Sequence, residues 1–220
     1  RNRIQVFDLH GRFLWDWGTY GHGDDRFYCP HGLATDGGGN VYMADTGNDR
    51  IQVFDHEGRY LYKWGSRGEG NGEFNGPSGI ALDDEERVYV TDSGNHRIQV
   101  FGPDGKFETQ WGNLSRTAAI RIDNGTGEEL VYVGEYFAGI RTNDIGTDLG
   151  PRVTIMNTRG EILARVGRDS YGDHAGRFYS PHGLAVDSRG DVYVAEVSWS
   201  DFGNKMDPPR EVRSMQKLVK

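Results

Sequence analysis

Apolar and polar residues alternate along this chain in short runs rich in Val, Ile, Tyr and Phe, and Gly, Asn and Asp punctuate the runs. A period of two puts one set of side chains on each face of an extended strand, so the runs predict β-strands. No window sustains the 3.6-residue spacing of a helix. One run recurs: Arg3-Ile4-Gln5-Val6-Phe7, Arg50-Ile51-Gln52-Val53-Phe54 and Arg97-Ile98-Gln99-Val100-Phe101, at a spacing of 47 residues. Around the second copy the predicted strands are 32–36, 40–45, 50–55 and 60–65, with a tight turn at His56-Glu57-Gly58. A module of four short antiparallel strands cannot bury both faces alone. Modules of this size stabilise one another by stacking radially around a channel, so the expected fold is an all-β β-propeller of four-stranded antiparallel blades.

The units fall at about 1–18 (partial), 31–65, 78–112, 118–167 and 182–220, within a single domain spanning 1–220. Trp17-Gly18, Trp64-Gly65 and Trp111-Gly112 close three of them, whereas Val166 takes the tryptophan's place in the unit at 118–167. The last unit passes through a Pro208-Pro209 loop to an alternating stretch at 213–220. The segment Asp92-Ser93-Gly94-Asn95-His96-Arg97-Ile98-Gln99-Val100-Phe101 resembles the NHL-repeat family, whose propellers have six blades. That resemblance implies that the N-terminal part of the ring lies upstream of Arg1, in keeping with a start that is neither Met nor a leader.

Composition narrows the function. Gly and Pro number 33 and 7, placed between apolar runs as turns rather than as low complexity. The single Cys29 excludes an internal disulfide framework but leaves the compartment open, exported or cytoplasmic. With 25 basic against 33 acidic residues the net charge is −8, which disfavours nucleic acid as a partner. No apolar run reaches the roughly 18 residues of a membrane span.

Topology selects the site. If strands a to d run outward from the axis, the loops 18–30, 65–77 and 167–181 share one face with the long insertions 136–151 and 197–212. Long loops on a rigid scaffold concentrate binding. The innermost strands begin on that face with His31, Ser78, Ala118 and His182, three of them in a Pro-X-Gly frame. His31 and His182 are therefore the candidate metal ligands, with zinc the implied cofactor. A catalytic zinc site takes three protein ligands and an open position, so two histidines fall one short, and hydrogen-bonded turn residues are the competing reading.

The run Tyr179-Ser180-Pro181-His182-Gly183 with the final stretch at 214–219 is also similar to the propellers of the peptidyl-α-hydroxyglycine α-amidating lyases. The resemblance implies a zinc held by histidines on alternate blades, with His182 as the last. It then puts serine at the preceding ligand position, 78, and leaves His31 on the wrong blade. The family's catalytic tyrosine and arginine are missing from Thr46-Gly47-Asn48 and Ser93-Gly94-Asn95. Tyr136 and Arg141 in the long insertion are the chain's substitutes, against a plainer reading as solvated loop residues.

Carboxylates also gather on this face, and calcium is a further possible occupant. However, Asp45, Asp92, Glu135 and Glu196 recur at one place in every unit, which points to anchoring of the following turn. Phe27, Phe74 and Phe178, and likewise Trp17, Trp64 and Trp111, are read as blade-to-blade packing. Non-repeating loop aromatics are better recognition candidates. Tyr28, Tyr179 and Trp199, with Ser78, are the expected ligand contacts, for a peptide, small molecule or protein partner. The leading expectation is a ligand-binding NHL propeller related to lyase-like scaffolds; the alternative is a zinc-dependent amidating-lyase-like enzyme.

Overall fold

The computed structural model describes residues 2–123, 125, 127–136, 150–167, 172 and 174–219. β1 (Ile4–Phe7) and β2 (Phe13–Trp17) form an antiparallel pair, and β3 (Thr19–Tyr20) and β4 (Arg26–Phe27) a small parallel one in the loop that follows. Two four-stranded blades come next: β5 (Pro30–Thr35), β6 (Val41–Asp45), β7 (Arg50–Phe54) and β8 (Tyr60–Trp64), then β9 (Pro77–Leu82), β10 (Val88–Asp92), β11 (Arg97–Phe101) and β12 (Phe107–Trp111). A third contains β13 (Arg116–Asp123), β14 (Leu130–Tyr136), β15 (Arg152–Asn157) and β16 (Ile162–Val166). The fourth is three-stranded, β17 (Pro181–Val186), β18 (Val192–Glu196) and β19 (Met215–Leu218). Helix enters as α1 (Ser198–Asp201), a single turn inside the insertion between β18 and β19. β5, β9, β13 and β17 lie side by side, and residues from all four line one cavity. The blades therefore curve around a common axis, as a β-propeller.

The recurring Arg-Ile-Gln-Val-Phe run is the third strand of its blade, and in β7 and β11 all five of its residues are buried. Alternation divides the work between the two faces. Ile51 and Val53 pack with Phe74, Ile80, Val88 and Phe101 of the next blade, while Phe54 meets Phe27 and Trp17 on the other side. Arg50 and Gln52 share Phe54's face and donate to the carbonyl of Arg26, with Arg50 also reaching Gly23. The polar half of the strand thus satisfies the backbone of the loop that feeds the blade, which buried carbonyls require.

Each of these clamps is organised by one buried carboxylate at the end of the second strand. Asp45 accepts from the Tyr28 amide at 2.8 Å, Asn48 Nδ2 at 2.7 Å, Arg50 Nε at 2.8 Å and Gln52 Nε2 at 3.0 Å. Asp92 repeats the set with Asn75, Asn95, Arg97 and Gln99. Glu135 takes the role in the third blade, with Arg152 at 2.8 and 3.0 Å and with Thr154 and the Ser115 amide. Glu196 holds the Tyr179 and Ser180 amides and Gln216 Nε2. These four carboxylates anchor turns and loops, as their recurrence predicts.

Neighbouring blades also interlock through glycine and aromatic pairs. Phe27, Phe74 and Phe178, fully buried, lie on Gly18, Gly65 and Gly167, each with φ between +88° and +99°. Trp17, Trp64 and Trp111 cover the turn glycines Gly58, Gly105 and Gly160 of the following blade. In the Pro-X-Gly frame the glycine permits close approach: a Cβ on Gly32 would sit 2.4 Å from the Ser78 carbonyl oxygen, and one on Gly79 3.1 Å from the Ile120 nitrogen.

Two substitutions test this account. Gly65→Ala forces an L-residue into φ +99° with its Cβ 2.6 Å from the Phe74 ring, and denaturant titration is expected to show a loss of about 2–4 kcal/mol. Asp92→Ala strands the buried Arg97 guanidinium and is expected to cost about 3–5 kcal/mol in the same measurement.

Candidate ligand site at the channel mouth

Every inner strand carries a one-residue bulge against its partner at the start of the blade. Between Pro30↔Asp45 and Leu33↔Met43, β5 advances three residues while β6 advances two, and β9 does the same against β10. β13 and β17 each advance two residues against one, at Thr117–Ala119 and Pro181–Gly183. A bulge re-aims the side chain it carries. Here it turns His31, Ser78, Ala118 and His182 into one cavity of about 540 Å³, whose floor includes Leu33, Ile80, Ile120 and Leu184. His31 and His182 thus meet at the mouth of a common channel.

The two imidazoles differ in their surroundings. The Tyr136 ring lies 4.7 Å from that of His182, tilted by 39°, and the Arg116 guanidinium sits 5.1 Å over the other partner in this stack, the Tyr136 ring. Arg116 and Tyr136 are cross-strand neighbours in β13 and β14, so the register itself sets this contact. Asp201 of α1 is fixed by the Ser180 hydroxyl at 2.6 Å. Desolvation by the surrounding walls pulls the His182 imidazole below its ordinary value; the Asp201 carboxylate works the other way, and His31 and Arg116 add to the lowering. Burial raises the Tyr136 phenol, which Arg116 counteracts and Asp201 reinforces. At neutral pH the mouth presents a neutral His182 imidazole beside a neutral phenol.

The other expected site residues fall in different places. Ser78 lines the cavity, but its hydroxyl donates to the Ala118 carbonyl at 3.0 Å, tying adjacent inner strands. Tyr28 is exposed and forms an edge-to-face cluster with Tyr20 and His22, at centroid distances of 5.6 and 5.8 Å, on the turn at Gly47. Trp199, also exposed, borders a separate cavity of about 350 Å³ with Glu211, Val212 and Ser214. Tyr179 is buried and packs on Phe202 at 5.1 Å, so its ring supports the insertion from within and offers a ligand little surface. Arg141 lies outside the described residues.

The equivalent positions on the intervening blades are serine and alanine, and among the described residues no group of three His, Cys, Asp or Glu side chains comes together to hold a metal such as zinc. The recurrent carboxylates Asp45, Asp92 and Glu135, read from the sequence as turn anchors, are engaged in the buried clamps. Two members of the cluster escaped the sequence reading, Arg116 and Asp201. The available signal for Arg116 was its departure from the repeat: it aligns with Cys29, Gly76 and Ser180, one residue before the frame.

Residues 27–54, 74–101 and 178–200 match the family model described as the NHL repeat. No curated protein matches the sequence. Among solved structures the chain is similar to a protein of unknown function from Bacteroides caccae, with a TM-score of 0.64 and 14% identity over 99% of this chain and 71% of that one. A streptogramin B lyase (TM-score 0.61, 16% identity, 100% and 62%) and virginiamycin B lyase from Staphylococcus aureus (0.61, 16%, 100% and 63%) are also similar. The chain therefore spans less than two thirds of either lyase, and at these identities the likeness is one of fold. Among the described residues no helix is long and apolar enough to cross a membrane.

The depressed His182 value has two measurable consequences. An NMR titration is expected to place the His182 midpoint below 6.5. Because the unfolded chain then binds more protons, folding stability is expected to fall as the pH drops from about 6.5 through the folded-state value, and to fall less in His182→Gln.

Proposed function

We propose that this NHL-repeat propeller is a binding module that takes a small molecule or short peptide into the mouth of its channel. The observation that carries the reading is the convergence of His31 and His182, from the inner strands of two separate blades, on one cavity of about 540 Å³ with Tyr136 stacked beside His182. That volume lies within the range of sites that enclose small ligands, and an apolar floor with a few polar groups at the rim is their common form. The exposed rings of Tyr28 and Trp199 lie on loops of the same face, where a longer ligand or a protein partner would extend.

The competing reading is a lyase-like enzyme. It draws on the presence of two titratable rings, Tyr136 and His182, stacked together at the mouth. Among the described residues it lacks a third side chain for zinc.

Elemental analysis and a fragment screen separate the two readings. The binder is expected to purify without stoichiometric zinc, and fragments that shift the His31 and His182 ring resonances are expected to lose about tenfold or more in affinity in His182→Ala, about 1.4 kcal/mol. Zinc retained at one equivalent in the purified protein and lost in His182→Ala would favour the enzyme. Fragments that leave both ring resonances unmoved would overturn the assignment of this cavity as the site.

A further inference from the structure

We infer that Arg116 is the specificity-determining residue of the channel mouth, and that the ligand it selects carries a carboxylate. This rests on the channel mouth being the binding site, and it adds the chemical class of what binds there.

The inference comes from what the arginines of this face do. Arg50, Arg97 and Arg152 occupy equivalent places on third strands, and each donates through Nε to a buried carboxylate at 2.8 Å. Arg50 and Arg97 also cap loop carbonyls. Their charges are neutralised within the fold. Arg116 stands apart from that scheme. It opens an inner strand two residues before the cavity-lining Ala118 and flanks the cavity rather than lining it, reaching the mouth through the Tyr136 ring that stacks on His182, and among the described residues no carboxylate lies within ion-pair distance of it. Its Nε is shut away from solvent without a hydrogen-bond partner, while the residue as a whole is only half-buried.

The terminal guanidinium nitrogens, unlike Nε, are not shut away, and they are the donors a ligand's acceptor would meet. A charged donor without a fixed partner gains most from an anionic acceptor. The surroundings define that acceptor. Tyr136 fixes the guanidinium from one side by cation–π contact, so the charge has a set direction rather than a floppy one. Burial disfavours the charged form of His182, and among the described residues Asp201, itself hydrogen-bonded to Ser180, is the carboxylate that acts on it, so a cation entering the mouth meets the fixed positive charge of Arg116 beside it. A guanidinium fork matches a carboxylate with two parallel hydrogen bonds. The apolar walls at Leu33, Ile80, Ile120 and Leu184 leave the rest of the ligand hydrophobic.

The matched probes are N-acetylphenylalanine and N-acetylphenylalanine amide, which share shape and differ in charge, with inorganic phosphate as a second anion. Binding is followed by calorimetry and by the Arg116 Nε–H resonance. The acid is expected to bind at least about tenfold more tightly than the amide and to shift that resonance. Arg116→Gln is expected to abolish the preference without weakening the amide, and Arg116→Lys to restore part of it. Circular dichroism and thermal melting of both variants establish that they are folded, and the resonance shift in the unmutated chain stands independently of them. Equal affinity for acid and amide, a preference that survives in folded Arg116→Gln, or phosphate binding without acid binding would each overturn the inference. In the first of these cases, amide binding that still depends on His182 leaves the cavity as a ligand site and removes only its carboxylate selectivity. Failure of both probes to move the His31, His182 and Arg116 resonances would sink the two readings together.

Discussion

A buried carboxylate at the end of each blade's second strand is the interaction on which the architecture depends. Four short strands have too little sequence to fix their own entry loop, and the loop's amides and carbonyls have no ladder to join. Asp45 and Asp92 solve this by accepting at once from the entry loop, the tight turn and two side chains of the third strand. The arginine and glutamine so held then reach the loop's carbonyls. A charge buried with several charge-assisted partners is tolerated where an isolated one would not be, which ties these residue types to one another within the repeat. Where the sequence drifts, the arrangement persists in altered form: Glu135 keeps an arginine, whereas Glu196 faces Ser214 and relies on backbone amides and Gln216.

With the entry loop fixed, the start of the inner strand is fixed too, and the bulge there follows. Its glycine lets the next inner strand approach, as Gly32 does against Ser78 and Ile80. Its preceding residue is turned out of the ladder into the channel. Each blade therefore contributes one side chain to the mouth, and that side chain varies from His31 through Ser78 and Ala118 to His182 while the bulge stays. The site and the scaffold are separable for this reason, which is the usual relation of function to fold.

What differs among the blades is accordingly what concerns the ligand. The third blade breaks the Pro-X-Gly frame, and in doing so places Arg116 opposite Tyr136 and both beside His182 of the fourth. The insertion after β18 brings α1 and Asp201 over the same group. The most degenerate repeats thus carry the densest chemistry.

By itself the sequence determined the strand alternation, the 47-residue spacing, the radial stacking of blades and the face on which His31 and His182 would meet, because period and topology are local properties that repetition makes legible. It also distinguished the architectural carboxylates and aromatics from the rest by their recurrence. Only the tertiary structure decided that Tyr179 turns inward onto Phe202, that the Ser78 hydroxyl ties strands together, and that Arg116, Tyr136 and His182 form one stack. Those contacts join residues 20 to 46 positions apart across blades and strands, and a single non-repeating residue leaves no periodic trace. Their geometry follows from cross-strand register and bulge placement, which come into being when the blades pack.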